Sequence, residues 1–173
     1  MSSTAAGFFL LDSDSNFDGR NTKRIDIAQI KAEEYIKGKG VYYKKMGFDS
    51  KDDPIPVEHW MKLPVFLRKI PDMFIVSGDH FHFVEVKGCR DTLKIKLEDY
   101  AQYVIWNEKG KLLFLVYSTT KSMLFVFSLD DLRDLFKDAE LKVYEDNRKE
   151  YYDIPVFLLE QYRRSVTAED EEE

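Results

Sequence analysis

The chain has 173 residues, enough for one ordinary domain, and with 44% hydrophobic and 34% charged residues it is too apolar for disorder. Its 13 Phe, 10 Tyr and 2 Trp can furnish a sizeable core, and no apolar run reaches the length that spans a bilayer. A single Cys, Cys89, excludes an internal disulfide and a cysteine-rich zinc site. Of the formal charge of -6, five negatives lie in the tail Glu169, Asp170, Glu171, Glu172 and Glu173, so residues 1–168 carry only -1 and lack the bulk basicity of a general nucleic-acid binder. The apolar stretch 7–11 is too short for a secretory leader and has no Lys or Arg before it, so the expected location is cytoplasmic.

Residues 1–20 read as a flexible arm of Ser, Asp, Asn and Gly around a short apolar patch. From 22 to 37 the spacing of Ile25, Ala28, Ala32 and Tyr35/Ile36 predicts a helix, capped by Asn21 or Thr22 and stopped by Gly38 and Gly40. Residues 41–43 read as a strand, and a polar loop with Pro54 and Pro56 follows. The run 65–70, between Pro64 and Pro71, reads as a further short strand.

Residues 72–77 and 81–87 are strand-like around Gly78-Asp79, and a two-residue type II′ turn there makes a hairpin. That turn sets Ser77 opposite His80 and Asp72 opposite Glu85, and the period of two keeps Lys87 on the same face. Residues 95–107 read as a second helix with Leu97, Tyr100, Ala101, Val104 and Ile105 as its apolar stripe. The continuous apolar run 112–117 predicts a strand buried on both faces. Residues 123–127 predict another strand, and 129–136 a helix begun by Ser128. A late strand follows at 151–154, then a last helix opened by Pro155 and running to Tyr162. The expected organisation is one domain over 21–166 with a disordered acidic tail at 167–173, built as an α/β sheet with helices on both faces.

Two carboxylates on adjacent strands, with a Lys two residues beyond the second, suit a divalent-metal centre for phosphodiester chemistry. Mg²⁺ prefers oxygen ligands and keeps waters while held by one or two carboxylates and a substrate phosphate. Asp72 and Glu85 supply such oxygens, the Val86 carbonyl can add a third, and Lys87 can orient the attacking water or stabilise transition-state charge.

Pro71-Asp72, twelve intervening residues, and then Glu85-Val86-Lys87 resemble the signature of the PD-(D/E)xK nuclease superfamily. The preceding helix, the following helix with Leu93-Lys94-Ile95-Lys96 leading to Tyr100 and Gln102, and the 112–117 strand are similar to that superfamily's arrangement over residues 22–127. The resemblance implies a three-layer α/β/α restriction-endonuclease-like core with a mixed sheet of four to six strands. It also implies a Mg²⁺-dependent DNA nuclease, with Mn²⁺ able to substitute. Where members place a Glu on the first helix, this chain has Gln29, and Glu33 lies four residues later on the same helical face as a substitute metal ligand. This departure favours a one-metal site or a relaxed second one. Lys94, Lys96, Arg68 and Lys69 are candidates for the DNA backbone, and Tyr100 and Gln102 for support of Lys87 and the substrate phosphate.

The small size suggests a structure-selective or partner-guided nuclease, and a homodimer would suit cutting both strands. The alternatives are a catalytically silent nuclease-fold binding or assembly module and an RNA-cleaving enzyme. No Gly-rich phosphate loop argues for a nucleotide cofactor. His80 and His82 read as exposed hairpin residues rather than zinc ligands, Cys89 as a partly buried thiol, and a second Glu-x-Lys at Glu140-Leu141-Lys142 carries no assigned role.

Overall fold

The computed structural model describes the backbone of residues 15–47 and 55–164, with side chains from Ile27 onward. The expected acidic tail and most of the expected arm lie outside the described residues. The first helix, α1 (Ser15–Gly38), begins seven residues before the predicted start, within the segment expected as an arm. Strand β1 (Tyr42–Lys45) follows, then two one-turn helices, α2 (Val57–Trp60) and α3 (Val65–Arg68). The strand expected at 65–70 is therefore a helix. Pro64 opens it, its carbonyl accepting the N–H of Leu67 and Arg68 (3.0 and 3.2 Å), and a proline of fixed φ starts a turn as readily as it bounds a strand.

The hairpin of β2 (Met73–Ser77) and β3 (His80–Cys89) has the predicted register: Ser77 pairs with His80 and Met73 with Val84. Gly78 takes φ +58° while Asp79 does not take positive φ, as a type II′ turn requires. Next come β4 (Thr92–Lys96), α4 (Leu97–Lys109), β5 (Leu112–Ser118), β6 (Met123–Ser128) and α5 (Leu129–Leu135). Ser128 starts α5 in a reciprocal capping box with Asp131. Then β7 (Glu140–Val143), β8 (Glu150–Pro155), a 3-10 helix (Val156–Tyr162) and β9 (Arg163–Arg164) complete the described chain.

The main sheet has six strands in the order β1-β2-β3-β5-β6-β9, mixed because β3 and β5 run parallel and the other pairs antiparallel. A parallel pair needs a crossover, and β4 with α4 provides it. On one face Ala28, Ala32 and Ile36 of α1 pack on Met73, Val84, Val86 and Leu115. On the other, Phe83, Phe114, Val116 and Phe127 meet Tyr103 and Trp106 of α4 and Leu129, Leu132 and Leu135 of α5. Helix, mixed sheet and helix thus form the three layers expected. Among the described residues no helix is long and apolar enough to cross a membrane.

A second sheet, in the order β4-β8-β7, was not anticipated. The second helix is expected from residue 95, but Leu-Lys-Ile-Lys over 93–96 alternates with period two, and 95 and 96 belong to strand β4. Leu93 and Ile95 are buried in the α4–α5 core, while Lys94 and Lys96 alternate with them on the opposite face. Where α4 ends, a side chain on Gly110 would lie 2.6 Å from the exposed Phe81 ring and 3.0 Å from the Phe83 ring, so admitting one would require these rings to shift.

Cys89 is buried at the end of β3, and burial pushes its thiol up to about 12. A thiolate is therefore scarce in the folded protein at mildly alkaline pH. Native protein is expected to resist a thiol reagent at about pH 8 and to react fully once unfolded in denaturant. Rapid native labelling, read by mass shift, would contradict this burial.

Candidate active site

The site builds up from the open end of the β2–β3 hairpin. Backbone pairing between the strands is recorded as far as Met73 with Val84. One step beyond, a side chain continues the connection: the Val86 N–H donates to Asp72 Oδ2 at 2.6 Å. The Asp72 carboxylate is thereby fixed against the backbone between Glu85 and Lys87. Met46 N–H donates to the Asp72 carbonyl at 2.9 Å, so Asp72 is also tied toward the end of β1.

Glu85 and Lys87 lie two residues apart on β3 and form an ion pair, Lys87 Nζ to Glu85 Oε1 at 2.8 Å. Tyr103 of α4 donates its hydroxyl to the same oxygen at 3.0 Å, and Lys87 Nζ lies 5.7 Å from the centre of the Tyr103 ring. These contacts place the pair on the α4 face of the sheet. Burial works against the Lys87 cation, but Glu85 and Tyr103 outweigh it and hold the ammonium well above the usual lysine range. Burial likewise pushes the Tyr103 phenol well above its usual range. At neutral pH Lys87 is a cation and Tyr103 a neutral donor.

Tyr103 is the site residue the sequence reading passed over. The predicted apolar stripe of this helix ran through Tyr100 and Val104, one step out of phase, whereas the two buried residues of α4 are Tyr103 and Trp106. A polar-tipped aromatic one helical turn before a buried Trp was the available signal. Tyr100, expected beside Lys87, instead accepts a hydrogen bond from Arg133 Nε (3.0 Å) and packs on Phe136. Gln102 has its Oε1 buried without a hydrogen-bond partner among the described groups.

The first-helix candidates sit elsewhere. α1 packs on Val84 and Val86, whose side chains alternate with those of Glu85 and Lys87. The described partners of Glu33 are Lys45 (2.7 Å), the Tyr43 hydroxyl (3.1 Å) and Gln29 Nε2 (3.2 Å). Burial alone would raise Glu33, but those three donors hold it below the usual carboxylate range. Since Met46 bonds the Asp72 carbonyl, the neighbouring Lys45 brings Glu33 to the same end of the sheet as Asp72, on its α1 side.

The remaining candidates divide. Lys69 pairs with Asp99 in the first turn of α4 at 2.6 Å, and Arg68 Nη1 donates to the Met61 sulfur at 3.8 Å, so both have structural partners. Lys94 and Lys96 instead stand over tyrosine rings at the mouth of a cleft that Lys87 also lines. Lys142, in the second Glu-x-Lys, pairs with Asp153 (2.7 Å) and Glu140 (3.1 Å). Among the described residues no group of three or more His, Cys, Asp or Glu gathers as a metal site.

The α/β/α core thus carries an Asp and a Glu-x-Lys at the open end of its central hairpin. Sequence comparison with protein families and with curated proteins returns no match. Among solved structures the chain is similar to Hjc, a Holliday junction resolvase from the archaeal hyperthermophile Archaeoglobus fulgidus, with 11% identity and a TM-score of 0.43 over 82% of this chain and 94% of that one. It is also similar to D212, a nuclease from a fusellovirus, with 14% identity and a TM-score of 0.45 over 92% of this chain and 91% of that one.

Proposed function

We propose that the protein is a Mg²⁺-dependent nuclease that hydrolyses phosphodiester bonds in DNA. The observation that carries this reading is the Asp72 carboxylate seated on the Val86 N–H, beside a Glu85–Lys87 pair on the same strand. The donor set fits the metal: two carboxylates and the Val86 carbonyl are hard oxygens, and Mg²⁺ needs few protein ligands because it keeps water and takes substrate phosphate oxygens. Lys87 and Tyr103 both engage Oε1 of Glu85, which positions that carboxylate in a single orientation. When bound, the metal would lower the pKa of a coordinated water and offset charge growing on the phosphate.

The protein's own groups divide the remaining work. Asp72 and Glu85 hold oxygen ligands in place. Lys87, already cationic, orients the attacking water and stabilises negative charge on the phosphate, and Tyr103 keeps the Glu85–Lys87 geometry. Glu33, braced by Gln29, is the acidic group on the α1 side of the same sheet end, available to a relaxed outer position. That only two of the three acids share the α4 face supports a one-metal site. It is also what a silent nuclease-fold binding module would show, so turnover is the deciding measurement.

Labelled single-stranded, duplex and branched DNA should be incubated with Mg²⁺ or Mn²⁺ and with EDTA, wild type beside Asp72→Asn. The expected result is cutting that needs the metal and falls on the order of 100-fold or more in the variant. Folded wild type that cuts none of these substrates would overturn the assignment, and the same reactions on RNA would separate a ribonuclease from a silent module.

A further inference from the structure

The unexpected second sheet makes a surface that the catalytic residues do not use. One face of β4 and β8, with Leu93, Ile95 and Ile154, is buried in the core. Register places Lys94 and Glu140 opposite Asp153, and Lys96 and Lys142 both opposite Tyr151, so the other face carries three lysines in line with a tyrosine, and two acids, Asp153 and Glu140, beside Lys142. That face forms one wall of a cleft of about 1160 Å³ that runs from Lys87 and Gly88 along β4 to the loop after β7.

The wall is ordered by aromatic contact. Tyr144 and Tyr151 stack with centroids 4.1 Å apart. Lys94 Nζ lies 5.0 Å from the Tyr151 ring centre and 5.6 Å from that of Tyr144, and Lys96 Nζ lies 5.8 Å from Tyr144. A lysine over a ring face keeps its full charge and its donors, whereas Lys69 and Lys142 are neutralised by carboxylates within hydrogen-bond range. Asp91, Glu145 and Asp146 also line the cleft, so its charge is not uniformly positive and the paired lysines mark the anion-binding stretch.

We propose that this cleft seats an unpaired DNA strand leading into the Lys87 end, with Lys94 and Lys96 on successive phosphates and Tyr144 presenting a ring to a base. This deepens the nuclease reading and rests on it for the identity of the ligand. Single-strand sites combine a cationic groove with aromatic platforms in this way, because every base has a flat face and every nucleotide a phosphate. An unpaired segment beside the scissile bond makes the substrate class structure-selective.

Binding of a fluorescent oligo-dT to the full chain should be followed by anisotropy across a salt series in EDTA, so that no strand is cut. Compared with wild type, Lys94→Gln/Lys96→Gln is expected to lose on the order of 10-fold in affinity and about 1.4 from the log–log salt slope. Tyr144→Leu, which removes no charge, is expected to lose several-fold with the slope unchanged. Lys31→Gln/Lys137→Gln removes equal charge outside the cleft and should bind as wild type. Thermal melts identify any variant that has failed to fold, in which case Lys94→Gln alone decides.

Wild-type affinity in the folded Lys94 and Lys96 variants overturns the proposal, as does competition by polyglutamate equal to that by unlabelled oligo-dT, or tighter binding of blunt duplex. The two readings fail separately. Metal-dependent cutting that survives unchanged in the cleft variants leaves the nuclease and removes the cleft. Oligo-dT binding lost in those variants, with no cutting by wild type, leaves the cleft and removes the nuclease.

Discussion

Replacing Lys87 with alanine is expected to slow metal-dependent cleavage on the order of 100- to 1000-fold, while the protein still folds. The size follows from what is removed. Lys87 is held by Glu85 at 2.8 Å and by the face of Tyr103, so its charge is oriented before substrate arrives. A preorganised donor aimed at developing charge is worth far more in the transition state than in the resting protein. The cost to folding is much smaller, about 1 kcal/mol, because Glu85 keeps the Tyr103 hydroxyl as a partner when Lys87 is gone. Lys87→Arg is not expected to restore the rate, since a planar guanidinium cannot place one compact ammonium between Glu85 and the Tyr103 ring.

The pH dependence has a definite sign. With its pKa raised on folding, Lys87 contributes stability that is fully present below the ordinary lysine value and is lost only as strongly alkaline pH passes the folded value. No titration of Lys87 should therefore shape stability across neutral pH. Single-turnover cleavage and thermal melting on the same preparations check both halves. A Lys87→Ala rate within about threefold of wild type would remove Lys87 from the chemistry.

The register of the hairpin that carries the candidate site was legible because turn chemistry is local. Gly78-Asp79 dictates a two-residue turn, the turn dictates which residues oppose one another, and the pairings of Ser77 with His80 and Met73 with Val84 follow. The central strands were legible because 112–117 and 123–127 are apolar runs with flanking turn residues. The failures arose where short patterns admit two periods. Four residues, Leu-Lys-Ile-Lys, satisfy a helix start as well as a strand, and only pairing with β8, almost sixty residues downstream, decides between them. Val65–Arg68 between two prolines admits a strand or a single helical turn, and the Pro64 carbonyl accepting from Leu67 and Arg68 selects the turn.

Tyr103 was hidden for a different reason. Its ring belongs to the core and its hydroxyl to the site, and composition registers only the first. Helix spacing correctly put Glu33 on the same face as Gln29. It could not say that Lys45 and Tyr43 occupy Glu33 from β1, because the partners of a carboxylate depend on which strand lies beneath the helix.

Phe114→Ala is the substitution expected to cost most in stability, about 3–5 kcal/mol, a large share of what a domain this size possesses. Phe114 is fully buried on central strand β5, stacked on Phe127 at 5.5 Å and edge-on to Tyr103 at 5.1 Å, so its removal opens a cavity that neither neighbour can close without leaving its own contacts. Urea titration should show the midpoint falling with little change in slope, and the melting temperature should drop on the order of 10 °C. Phe157→Ala, at a position 68% exposed, should stay within about 0.5 kcal/mol of wild type. A Phe114→Ala cost below about 1 kcal/mol would mean that this core is not packed as described. The consequence also reaches the chemistry. Phe114 is the strand partner of Glu85 and the surface on which Tyr103 rests, so a cavity there loosens the one hydroxyl that fixes the Glu85 carboxylate. At a temperature where Phe114→Ala is still folded, its cleavage rate should fall below wild type while Phe157→Ala cuts normally, because the core layer behind the hairpin sets the geometry of the carboxylates in front of it.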